Sequence, residues 1–211
     1  MTTAGRILSL IRAEIAADTP LLGNALLTPA RTEDAGYSDL FTAARDAAGP
    51  SCSDGDGLYL AGLEYIFEGY LLHIGASRLL APPDGGFALL AGDYMYARGL
   101  NRVARLEDPV PIDMLADLIR TCAVISCEGL EPGLGLNAWS ATTLKLAAHA
   151  AGSKGSGLAG PLNPEGGLEA QARGILKDAD GQAESLLLKF PEPAAGKLRV
   201  ILNELYSSFN N

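Results

Sequence analysis

Two acids and a histidine share one predicted helix. Glu64, Glu68 and His73 fall within L-Y-L-A-G-L-E-Y-I-F-E-G-Y-L-L-H, residues 58–73. Glu64 and Glu68 share the helix of His73. With His73 they form a conceivable Glu/His metal set. The commoner reading is a histidine satisfied inside a helical bundle. His149 is the other histidine, and no Ser–His–Asp or Cys–His set can be read from spacing, because such sets meet only in space. Two glycine-rich stretches match phosphate-binding patterns by letter. Gly155–Gly160 reads G-x-G-x-x-G, and Gly133–Ala138 reads G-x-G-x-x-A. A dinucleotide site needs a strand before that turn and a βαβ unit around it. Both stretches follow predicted helices, and the first runs into Pro161. Gly152-Ser153-Lys154 lacks the G-K-[ST] order of a phosphate-binding loop. Cys122 and Cys127 lie on or near the core face of one predicted helix, where a structural thiol is the default. Tyr59, Tyr65, Tyr70, Tyr94 and Tyr96 cluster on two helices, where they line an apolar cavity or, more often, fill it.

The elements that must position these residues are helical almost throughout. Ile7, Leu10, Ile11 and Ile15 predict one face of a first helix, and Tyr37–Ala48 a second. Gly49–Gly57 is a loop. Leu58–Leu80 predicts a long helix ended by Pro82 and Pro83. Gly86–Ala104 is apolar nearly all round, which predicts a central helix. Ile112, Leu115, Leu118, Ile119, Cys122 and Ile125 define the next, after Pro109 and Pro111. Asn137 is the expected N-cap of a helix reaching Ala151. Gly152–Gly167 reads as a loop, and Leu168–Lys189 with Ala194–Ser208 as a closing helical pair. No window alternates as a strand does, and no repeat period is present. The expectation is one all-α domain over residues 1–211, with about seven or eight helices.

Composition narrows the functions. The 211 residues are 48% apolar, enough for a core and too apolar for disorder. Lys+Arg 16 against Asp+Glu 25 gives a net charge of −9. That balance argues against nucleic acid and against an anionic membrane surface as partners. No apolar run reaches the length of a membrane span. The first 18 residues carry Arg6, Arg12 and Glu14, the pattern of an amphipathic helix and not of a signal peptide. Three cysteines without a C-x-x-C fit reduced thiols and a cytoplasmic chain.

The stretch Glu64–Ala97 also resembles the trans-polyprenyl diphosphate synthase family. That family carries E…L-x-H-D-D-x-x-D, then G-x-x-x-A-x-L-x-G-D-x-L-x-x-x-A. Glu64, Leu71 and His73 match the first pattern, and Ala91, Gly92, Asp93 and Ala97 the second. Later stretches resemble it more loosely: Cys127-Glu128-Gly129 its G-E turn, Lys145-Leu146-Ala147 its K-T-A motif, and Gly157–Gly160 the end of that helix. Where the family has three aspartates, this chain has Ile74, Gly75 and Arg78. Isoleucine and glycine offer Mg²⁺ no side-chain oxygen, and arginine puts a positive charge where the metal would sit. Arg78 could grip a phosphate directly, yet one arginine does not replace a metal cluster. The second aspartate motif has no room after Gly160, with Asp178 and Asp180 as its nearest remnant. The arginine pair that binds the second diphosphate is replaced by Pro82, Pro83, Asp84 and Gly85. The resemblance implies a single, truncated helical bundle of the isoprenoid synthase type. It implies no catalytic residue, no cofactor and no metal site. Glu64, Glu68, His73, Arg78, Asp93, Tyr96 and Lys145 are then candidates to line the remaining cavity. The implied function is binding: a partner or regulatory subunit of a polyprenyl synthase, as homodimer or heteromer, or a carrier of an apolar isoprenoid chain. An enzyme with altered metal chemistry and a plain helical interaction module are the alternatives.

Overall fold

The computed structural model of the chain describes residues 2–28, 30, 36–48, 55–130, 133–152, 186–187, 190 and 192–209. Eight helices run through them: α1 Thr3–Asp18, α2 Pro20–Gly23, α3 Tyr37–Ala48, α4 Asp56–His73, α5 Gly85–Ala104, α6 Pro109–Cys127, α7 Gly133–Ala150 and α8 Glu192–Phe209. No strand occurs among the described residues; one isolated antiparallel bridge joins Leu26 to Leu80. The fold is all-α. Two compact units divide the chain, one made of Met1–Asp39 and Asp54–Asp108, the other of Leu40–Ser53 and Pro109–Asn211. The division falls inside α3.

In the first unit, α1 is capped by Thr2, whose Oγ1 accepts from Gly5 N at 3.0 Å. It buries Ala4, Leu8, Ile11 and Ile15. The predicted face is therefore rotated: Leu10 is 48% exposed, and Ala4 and Leu8 take the inner places. The steps of four, three and four residues make the narrower stripe. The expected central helix is also a different one. Every residue of α4 from Ala61 to Leu72 is buried, whereas α5 buries only Ala91, Gly92, Met95, Gly99 and Val103. Leu89 and Leu90 of α5 are 56% and 71% exposed.

α4 ends at His73, short of the predicted Leu80. Gly75 adopts φ +78, and Ala76 N donates to Leu71 O at 2.8 Å while Gly75 N donates to Leu72 O. This is a Schellman ending, which the left-handed glycine makes cheap. The chain then turns back, and Leu27 N to Leu79 O and Ala81 N to Ala25 O, both 2.8 Å, tie the connector to residues 25–27. Asp84 opens α5 by accepting from Phe87 N at 2.7 Å.

α4 and α5 meet at glycines. A Cβ on Gly69 would lie 2.9 Å from Gly92 O, and one on Gly99 would lie 2.9 Å from Gly62 O. Gly62 and Gly69, like Gly92 and Gly99, are seven residues apart, so each pair repeats after two turns on one face. At both levels the backbones nearly touch, and no ligand chain fits there.

In the second unit α6 packs on α7, and α7 on α8. Leu115, Leu118, Trp139, Leu144, Leu198 and Leu205 are buried there. α6 ends as α4 does: Gly129 has φ +62, and Leu130 N donates to Ile125 O at 3.0 Å. Asn137 does not cap α7; it lies within that helix, and its Oδ1 accepts from the Tyr206 hydroxyl at 2.6 Å. The Gly133–Ala138 motif likewise runs inside α7, with no strand before it among the described residues. The Gly155–Gly160 motif, Asp178 and Asp180 lie outside the described residues, as does Leu168–Lys189 apart from Leu186 and Leu187.

Candidate functional site

α4 turns Glu64 and Glu68 into the core of the first unit, and both are 0% exposed. A buried carboxylate is prohibitive unless paired and hydrogen-bonded. Arg78 answers both. Its Nη2 donates to Glu64 Oε2 at 2.7 Å, and its Nε to Glu68 Oε1 at 2.5 Å. On a helix continued from α4, Arg78 would stand about 21 Å along the axis from Glu64. The turn at Gly75 brings it back. The remaining carboxylate oxygens are also occupied. Ser38 donates to Glu64 Oε1 from its backbone N at 2.9 Å and from its Oγ at 2.7 Å. Glu68 Oε2 accepts from Ser77 Oγ at 2.9 Å and from Arg78 N at 3.2 Å. Gly36 is needed here, since a Cβ on it would overlap Glu64 Oε1 and the Ala4 methyl.

The guanidinium also sits over the Phe67 ring, 4.9 Å from its centre. Burial disfavours its charge, but Glu64 and Glu68 outweigh that and push its pKa up. Two carboxylates and one cation leave a net negative charge. Ser38 lies in the first turn of α3, so the positive end of that helix offsets part of it. Asp39, the next residue, accepts from Thr3 N at 2.8 Å and from Ala4 N at 3.3 Å, holding the start of α1. Burial, and then the charge of Glu64, push its carboxyl above the usual range despite those bonds.

A second group joins α4 to α5. His73 Nε2 lies 3.3 Å from Leu89 O and 3.4 Å from Asp93 Oδ1, and its ring meets Tyr96 edge-on at 5.0 Å. A third, unread in the sequence, clamps α1 onto α4 and α5. Glu14 Oε2 accepts from the Tyr65 hydroxyl and from Arg102 Nη2, both at 2.5 Å. Asp18 Oδ2 accepts from the Tyr94 hydroxyl at 2.6 Å and lies 3.5 Å from Arg98 Nη2. Burial opposes ionisation of Glu14, but the Tyr65 and Arg102 bonds prevail and hold its carboxyl below the usual range. Burial and the bond to Asp18 push Tyr94 up to about 12. Such tyrosines stay protonated and act as donors.

The seven candidate cavity residues thus separate. Glu64, Glu68 and Arg78 form one sealed cluster. His73, Asp93 and Tyr96 form a surface contact. Lys145 is half-buried in α7, in the second unit. Ile74, 43% exposed, and Gly75 stand on the turn and offer no metal ligand. Among the described residues, no group of three or more His, Cys, Asp or Glu is arranged to hold a metal ion. Tyr59, Tyr65 and Tyr70 are buried and fill the core rather than line a cavity. Burial pushes the Cys122 thiol up to about 12, so it is inert, and Cys127 is exposed and free.

A half-open cleft of about 300 Å³ lies beside the end of α4. Leu27, Leu72, Ala76, Leu80 and Pro82 line it with Ser77. Ser77 Oγ is fully engaged, donating to Glu68 and accepting from Leu79 N and Leu80 N at 3.2 and 3.0 Å. No helix among the described residues is long and apolar enough to cross a membrane. Compared with models of protein families, with curated proteins and with solved structures, the chain has no match.

Proposed function

We propose that the chain is a non-catalytic, polyprenyl-synthase-like protein of the cytoplasm that works by binding a protein partner. One observation carries the reading. Arg78 fills the space between Glu64 and Glu68, and every carboxylate oxygen there has a donor. Diphosphate transfer needs metal-held charge at a solvent-accessible site. Here the charged groups pair with one another out of reach of solvent. The partner is a full synthase or a second copy.

The test is direct. Pure protein with allylic and homoallylic diphosphates and Mg²⁺ is expected to give no elongated product, and a Mg²⁺ titration no saturable heat. Longer product would sink the reading. Carriage of an isoprenoid chain is the second reading, favoured by the cleft beside α4. Its volume is near the lower end for ligand pockets, so it suits the end of a short chain rather than a long one.

A further inference from the structure

The cleft beside the end of α4 has a wall of two kinds. Leu27, Leu72, Leu80 and Pro82 line it with hydrocarbon. Gly75, Ala76 and Ala81 carry no polar side chain, so the polar part of the wall is backbone and Ser77. Each backbone N–H along that wall needs an acceptor. Gly75 N donates to Leu72 O, Ala76 N to Leu71 O and Ala81 N to Ala25 O. Arg78 N donates to Glu68 Oε2, and Leu79 N and Leu80 N to Ser77 Oγ. Ser77 N is the exception, with no acceptor among the described residues.

A second donor stands at the Leu27 edge. Arg12 Nη1 donates to the Leu27 carbonyl at 2.6 Å, and Leu27 N in turn holds Leu79 O. The rest of the guanidinium fork is open, for no carboxylate of the described residues lies within 4.0 Å of it. The acids that share α1 with it, Glu14 and Asp18, are taken by Arg102 and Arg98. The carbonyl end of α4 is close, but Tyr70, Leu71 and Leu72 already accept from Ile74 N, Ala76 N and Gly75 N. Asp84, two residues past Pro82, turns to α5 and accepts from Phe87 N at 2.7 Å. Spare donors, one of them cationic, thus stand beside hydrocarbon, and a pair of donors suits the two oxygens of a carboxylate. At about 30 Å³ for each non-hydrogen atom, the share of a water molecule in the liquid, a cleft of about 300 Å³ holds roughly ten. We propose that this cleft binds a monocarboxylate of about eight carbons, its tail against Leu72 and Leu80 and its head between Arg12 and Ser77 N. The net charge of −9 slows the approach of any anion, but salt screens it beyond about 8 Å, and the head-group bonds form in contact. This goes beyond the chain-carriage reading, which gives the cleft no head group, and it stands with or without a protein partner.

The experiment titrates the full chain with octanoate and with octylamine, followed by amide NMR. Octanoate is expected to bind with Kd of about 0.1–1 mM, as suits so small a ligand, and to move the Ser77 amide proton downfield. Octylamine has the same tail, but its cation meets Arg12, so it should bind at least about tenfold more weakly. Arg12→Gln should weaken octanoate by about the same factor, and its amide spectrum shows that it folds. Ala76→Trp, at an exposed residue of the wall, fills the recess and should remove binding. It and the octylamine comparison keep the test decisive should Arg12→Gln fail to fold. Octylamine binding as tightly as octanoate overturns the proposal, as does a Ser77 amide that stays still. So does octanoate binding that ignores Ala76→Trp, for then the tail has settled on leucines exposed elsewhere, such as Leu10 and Leu21. No binding of octanoate at about 10 mM overturns it as well.

Discussion

At the scale of single residues, the chain is organised around one arginine. Removing a partner from a buried ion cluster costs about 3–5 kcal/mol, because the charges left behind stay buried. Arg78→Met should therefore lower the urea midpoint by that equivalent. Adding Glu64→Gln and Glu68→Gln should recover most of the loss, since the uncompensated charges go too. A single variant as stable as the parent would show that the cluster does not carry charge as drawn. Glu14 gives a pH-dependent counterpart. Its folded pKa lies below the ordinary glutamate value of 4.5, so it contributes stability above that pH and loses it as pH falls through the folded value. Glu14→Gln should cost no more than about 1 kcal/mol at neutral pH, given the pair's exposure. The gap should close on acidification below 4.5. Asp39 runs the other way: its raised pKa means that ionisation costs stability as pH rises from 3.8 through the folded value. A gap for Glu14→Gln that persists in acid would refute its assignment. The sequence held half of this cluster in plain view. Two glutamates in an otherwise apolar helix demand a buried cation. What it hid was the turn that supplies one, because Gly75 can sit inside a helix or end it.

At the scale of elements, the α4–α5 pair is closed by glycines, and the same substitution should have opposite signs at two sites. Gly99→Ala puts a methyl onto the Ile66 side chain and 2.9 Å from Gly62 O. Two backbones cannot both give way, so a loss of about 1–3 kcal/mol follows. Gly196→Ala, in α8, meets nothing within 4 Å and should gain about 0.5–1 kcal/mol from helix propensity. Thermal unfolding of the two variants decides it, and a stabilised Gly99→Ala would mean that the helices stand further apart. The helix types and the bounds of α3 were legible from periodicity. The wrong choice of central helix has a physical cause. Counting apolar letters credits Leu89 and Leu90 to the core, but the glycines at 92 and 99 fix which side of α5 faces α4. Small residues at a close approach carry less apolar weight than leucines and more geometric constraint. Asn137 misled for a similar reason, since a good capping residue also serves as a side-chain acceptor within a helix.

At the scale of the whole molecule, the net charge of −9 governs what the chain can approach. The sequence read this directly, since charge needs no fold to be counted. It could not say where each charge lies. Arg78 is sealed in the core, and Arg98 and Arg102 are held by Glu14 and Asp18. On the surface stand Asp84 and Asp93, and also Arg6, Arg105 and Lys197. Binding to duplex DNA or to an anionic bilayer depends on freed cations that neutralise phosphates. The pure chain at about 50 mM salt, where such contacts are strongest, should therefore neither retard duplex DNA nor sediment with phosphatidylserine vesicles. Retention that fades as salt rises would reveal a clustered basic surface and overturn the reading from net charge. A cationic partner meets the opposite situation, as the net negative field that repels phosphate attracts it and quickens the encounter.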